Sequence, residues 1–123
     1  CHRPAPTPAA MELLVAILNQ DAHLEAVLAG FVELGITGAT IVESRGMGRV
    51  LRQQLPLFAG LASLDGTTRA RNHTIVCVLD TAKAEAAIRM VQEVCGDLTA
   101  PGVGIVFTVP VSRVVGLAPE LER

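Results

Sequence analysis

HTIVCVLDTAKAEAAIRMVQEVCGDLTAPGVGIVFTV, residues 73–109, sets an apolar strand, an amphipathic helix and a second apolar strand in one run. His73 to Leu79 is rich in β-branched residues, which suit the pleated surface of a strand. Asp80 and Thr81 follow, and both side chains can accept a hydrogen bond from the free amides of a helix start. Ala84, Ile88, Val91 and Cys95 then recur at the three- and four-residue spacing of one helix face. Gly96 stops the helix. Gly104 to Val109 forms the next strand, which Pro110 ends or places at a sheet edge.

The preceding half repeats this grammar. Glu12 to Leu18 is a continuous apolar strand, and Asn19, Gln20 and Asp21 supply a helix start. Leu24, Val27, Leu28, Phe31 and Leu34 form the apolar stripe, Gly35 stops it, and Ala39 to Ser44 is the second strand. The order is strand–helix–strand, a long connection, then strand–helix–strand. Two such halves with right-handed crossovers predict an α+β fold, the ferredoxin-like βαββαβ sandwich. That fold hosts many unrelated activities, so function must be argued from particular residues.

The strands are apolar on both sides. Leu13, Val15 and Ile17 alternate with Leu14, Ala16 and Leu18; Ile75, Cys77 and Leu79 with Val76 and Val78; Ile105, Phe107 and Val109 with Val106 and Thr108. Two helices cover one face only, so the other predicts an oligomer. A charge at Val76 or Val106 is expected to break assembly if those residues face the neighbour, in which case the companion set faces the helices. The segment from Pro110 to Arg123 is too short to cover four strands.

Composition excludes several classes. Half of the 123 residues are hydrophobic, yet 2% are aromatic, with three Phe and no Trp or Tyr. A platform that stacks nucleic-acid bases needs several aromatics. A net charge of −2 does not suit binding driven by phosphate neutralisation. The longest apolar run, Leu13 to Leu18, falls far short of the ~20 residues of a membrane span. Cys1, Cys77 and Cys95 lack metal-ligand spacing and are odd in number, which predicts a reducing, cytoplasmic setting. Residues 1–10, CHRPAPTPAA, read as a Pro-rich tail without the apolar core of a signal peptide. They precede a domain over 11–123 in which Met11 is a candidate start.

The unusual chemistry lies in the connection from Gly46 to Asn72. Connections beyond about 12–15 residues are uncommon in compact domains and are usually functional or disordered. Arg45, Arg49, Arg52, Arg69 and Arg71 fall in or beside it, against the single acid Asp65. That asymmetry suits an anionic ligand or an acidic partner surface. Its apolar middle, Leu55, Leu57, Phe58, Leu61 and Leu64, predicts a short packed segment or a docking face. Gly46 and Gly48 leave the second strand, and Gly102 and Gly104 flank Val103 before the fourth. Such Gly-x-Gly turns let backbone N–H groups approach a phosphate closely.

Catalytic groups are scarce. His23 is expected on the exposed side of the first helix and His73 as a capping or surface residue. Ser44, Ser63 and Ser112 lack a nucleophile-elbow setting, and Cys77 and Cys95 read as small buried hydrophobes. No nucleophile has an evident base. A phosphate-cradling enzyme of the acylphosphatase kind needs a cation after the first strand, where Asn19, Gln20 and Asp21 stand.

The run GITGATIVESRGMGR, residues 35–49, resembles the first-helix end, second strand and loop entrance of PII nitrogen-regulatory signalling proteins. GVGIVFTVPV, residues 102–111, resembles their glycine-bearing turn and fourth strand. The resemblance spans most of residues 11–115. It implies a homotrimer with three clefts between subunits that bind adenine nucleotides (ATP, ADP or AMP). It further implies that a T-loop, here 46–72, contacts a target enzyme or membrane transporter. Thr40, Gly46, Met47 and Gly48 match positions that line base and ribose, and Gly102 and Gly104 match the phosphate-turn glycines. Arg45, Arg49 and Val103 complete the candidate ligand set, with no catalytic or metal residue. The chain departs from the pattern at Ile105, where the family carries a phosphate-binding Lys, and at Gly116 and Ala118, where it carries arginines. The absence of Tyr excludes uridylylation of a T-loop tyrosine. The alternative is a trimeric module resembling the divalent-cation-tolerance proteins, which binds no nucleotide.

Overall fold

The computed structural model describes residues 10–54 and 72–117. β1 (Met11–Leu18) leads to α1 (Asp21–Glu33) and β2 (Thr40–Ser44). A short helix, α2 (Met47–Gln54), opens the long connection. β3 (Asn72–Asp80), α3 (Thr81–Cys95) and β4 (Gly104–Val111) complete the chain. The four strands form one antiparallel sheet in the order β2-β3-β1-β4. This is the ferredoxin-like arrangement, with β1 and β3 central. Residues 1–9 of the expected Pro-rich tail (residues 1–10), Leu55, Leu57, Phe58, Leu61, Ser63, Leu64, Asp65, Arg69, Arg71 and Ala118 lie outside the described residues.

Local chemistry fixes the element ends. Asp80 caps α3 by accepting from the Lys83 amide at 2.8 Å. At the other end Gly96 takes φ 75°, a conformation that suits glycine. α1 ends in a full Schellman motif: Ile36 N–H donates to the Phe31 carbonyl at 2.8 Å and Gly35 N–H to that of Val32 at 3.0 Å. Gly35 takes φ 82°, and the accompanying apolar pair, Phe31 and Ile36, is buried. β4 continues through Pro110. It is an edge strand, where a missing backbone donor is tolerated.

The core lies between the helices and one sheet face. Leu14, Ala16, Leu18, Ile75, Cys77 and Leu79 meet Val27 and Phe31 of α1 and Ala84, Ala87, Val91 and Cys95 of α3. Ala87 is buried where Ile88 was expected; Ile88 is only partly buried on the flank. A small residue at the helix–sheet contact lets the backbones approach. Burial also pushes the Cys95 thiol pKa up. Gly30 serves the contact between the helices, since a Cβ there would stand 2.4 Å from Met90 Sδ. His23 is half-buried, not on the exposed side, and its Nδ1 has no hydrogen-bond partner among the described residues. It precedes Val27 by one turn and so borders the buried stripe.

The opposite face carries Leu13, Val15 and Ile17 with Val76 and Val78, and on β4 Ile105, Phe107 and Val109, which are 52%, 40% and 44% exposed. The register aligns them in rungs: Val42, Thr74, Ile17 and Ile105; Thr40, Val76, Val15 and Phe107; Val78, Leu13 and Val109. Val76 faces this open side as expected. Val106 does not: it pairs with Ala16 and packs against the core. The two valines differ because each follows its own strand's alternation.

Candidate functional site

The candidate residues other than Thr40 gather at one end of the sheet. Glu43, His73, Leu18 and Gly104 pair in one line across all four strands. The 46–72 connection leaves at the β2 edge of that end, and the 102–104 turn enters at the β4 edge. Three strand spacings separate those edges, about 14 Å. The structure therefore brings both glycine pairs to the same end of the sheet but not together within one chain.

The two pairs differ in form. Gly102 and Gly104 take φ 78° and 152°. A Cβ on Gly104 would stand 2.4 Å from the Ile17 carbonyl oxygen, so the fourth strand can start so close to β1 only with glycine there. Val103 packs against the core, and its carbonyl accepts from the Asn19 amide at 3.2 Å. Upstream, Thr99 donates through its hydroxyl and its amide to the Asp97 carboxylate. These bonds hold the Asp97 pKa below the usual carboxylate range.

Gly46-Met47-Gly48 is not a Gly-x-Gly turn. Gly46 accepts from the Val50 amide at 3.1 Å, and Met47, Gly48 and Arg49 form the first turn of α2. The two glycines conceal a helix: Gly46 stands just before it, and Gly48 lies inside it, where glycine costs about 1 kcal/mol against Ala. Met47 is 77% exposed. Arg45 is exposed at the end of β2. Thr40 lies at the other end of β2, opposite Val76 on the open face, and so apart from the residues around Gly46. Ile105 stands exposed beside Gly104 on that same face.

A polar group at the root of the connection was not anticipated. Ser44 Oγ donates to Asn72 Oδ1, lies 2.6 Å from Thr74 Oγ1, and reaches the Asn72 carbonyl at 3.5 Å. Asn72 is only 7% exposed. The signal was the alternation of Asn72 and Thr74 with Val76 and Val78, which puts all four on the open face. On the helix side, His73 Nε2 lies 2.8 Å from Asp21 Oδ1 at the start of α1. Among the described residues no group of three His, Cys, Asp or Glu is placed to hold a metal ion, and no helix is long and apolar enough to cross a membrane.

The sequence profile described as nitrogen regulatory protein P-II matches residues 11–120. The chain belongs to the P-II family. Among the solved structures that share its fold are two at low identity. One is Arabidopsis thaliana PII bound to citrate, at 19% identity and TM-score 0.59, covering 85% of this chain and 79% of that one. The other is a functionally unknown protein from Pediococcus pentosaceus, at 14% identity and TM-score 0.61, covering 89% and 100%. No curated protein matches the chain.

Proposed function

We propose that this P-II family member is a cytoplasmic trimeric regulator, not an enzyme. It senses a small anionic ligand and acts on a target enzyme or membrane transporter through the T-loop, residues 46–72. The observation that carries the reading is the open sheet face. Three apolar rungs there lack a covering element among the described residues. Leaving such a surface in water is costly, and a neighbouring sheet covers it.

A second copy also closes the gap of about 14 Å between the two glycine pairs. In a cleft between copies, Gly102–Gly104 supplies close backbone N–H groups, Arg45 and Arg49 supply charge, and Thr40 and Met47 border the ligand. The citrate on Arabidopsis PII supports an anion as the ligand class, and adenine nucleotides are the candidates. Ile105 follows Gly104 where a cation would meet a terminal phosphate. Each missing charge-assisted hydrogen bond weakens binding by roughly 1.5–3 kcal/mol. AMP and ADP therefore bind at least as well as ATP. Calorimetric titration of the three on the assembled protein tests this. Much tighter ATP binding contradicts it, and no binding by any of them favours the cation-tolerance-like trimer, which Ile105 also suits.

A further inference from the structure

Ser44, Asn72 and Thr74 join two parts of the molecule that the strand pairing alone leaves separate. Thr74 lies on the open face, in the rung between Val42 and Ile17. Asn72 is the first residue of β3, where the long connection ends. Its Oδ1 accepts from Ser44, and a Cβ on Gly46 would stand 3.8 Å from its Nδ2. Gly46 in turn receives the first amide bond of α2, from Val50. The hydrogen bonds thus run from Thr74 on the open face through Ser44 to Asn72, whose amide group lies beside Gly46 at the start of α2.

The donor count gives this chain two settings. Ser44 has one hydroxyl proton, and Asn72 Oδ1 and Thr74 Oγ1 both lie within its reach. In one setting Thr74 donates to Ser44 and Ser44 donates to Asn72. In the other, Thr74 donates its hydrogen bond to a group on the open face and accepts from Ser44, which releases Asn72 Oδ1. Asn72 is buried, so losing that partner destabilises its position. We propose that Thr74, Ser44 and Asn72 form a hydrogen-bond relay that couples the open sheet face to the start of α2. All three are positioning residues, and the inference stands on the single chain, whatever occupies the open face.

Amide hydrogen exchange of the full-length chain, resolved by NMR, tests the relay with Ser44→Ala, Thr74→Val and Thr74→Ser. Losing the Ser44–Asn72 bond is expected to speed exchange at Val50 about fivefold in Ser44→Ala, whereas Thr74→Val removes the competing acceptor, leaves Ser44 donating to Asn72 and should leave Val50 exchange unchanged or slower. Val15 and Ala16 in β1 should stay unchanged, and Thr74→Ser, which keeps the hydroxyl, should keep the unmutated rate. Three results would each overturn the proposal: an unchanged Val50 amide in Ser44→Ala, equal acceleration in β1, or faster Val50 exchange in Thr74→Val.

Discussion

Replacing Gly104 with Ala should destabilise the fold more than any other single-methyl change at a described glycine. The added methyl would stand 2.4 Å from the Ile17 carbonyl oxygen and 3.4 Å from Leu18 Cα. Ordinary van der Waals contact begins near 3.4 Å, so β4 and β1 must part by about 1 Å or distort, at the usual overpacking cost of roughly 1–3 kcal/mol. The obstacle is backbone of a central strand, which pairs on both sides and has no rotamer to change. A φ of 152° adds about 1–3 kcal/mol for a side chain in a region other residues avoid. Together these predict a loss of about 3 kcal/mol, against a total stability of roughly 5–15 kcal/mol. Two controls separate the causes. Gly96→Ala carries the positive φ but has open space, and should lose about 1 kcal/mol. Gly38→Ala has neither burden and should stay within about 0.5 kcal/mol. Urea unfolding at one fixed chain concentration measures all three. A Gly104→Ala loss no larger than that of Gly96→Ala would refute the close-approach argument.

The remaining expectations concern assembly, ligand and titration. Phe107→Asp puts a charge on the open face, midway along the edge strand β4, and should yield monomers by light scattering, whereas Val106→Ala, on the helix side, should lower stability and leave assembly intact. Ile105→Lys should raise the affinity for ATP relative to AMP in calorimetry, since it places a cation beside Gly104; an unchanged ratio speaks against phosphate at that turn. Because its hydrogen bonds lower the Asp97 pKa, its contribution to stability is present above the unfolded carboxylate pKa and is lost as pH falls through the lowered folded value. Thr99→Val removes one of the two bonds and should move the Asp97 titration, followed by NMR, back towards the usual range.

Periodicity and end signals carry most of the fold. Asp80, Gly35 and Gly96 mark helix ends through chemistry that is local in the chain, and the strand alternations separate the two sheet faces without any structure. Which alternation faces the helices is a tertiary matter, and so Val106 fell on the unexpected side. α2 was hidden because Gly46 and Gly48 read as a turn, while Leu51, Arg52, Gln53 and Gln54 favour a helix once it has started. Gly102 and Gly104 were legible as special glycines. The reason for the second, the Ile17 carbonyl, comes from a residue far away in sequence. The Ser44, Asn72 and Thr74 group depends on the register of β2 against β3, which no single segment specifies.

Native mass spectrometry of the purified full-length chain tests the central claim, that the open sheet face is covered by copies of the same chain around a small-anion cleft. The account predicts one dominant species at three times the 12.9 kDa chain mass. That species should convert to single chains in Phe107→Asp and take up to three AMP or ADP molecules on titration. A species at 12.9 kDa alone, in unmutated protein at micromolar concentration, would contradict it.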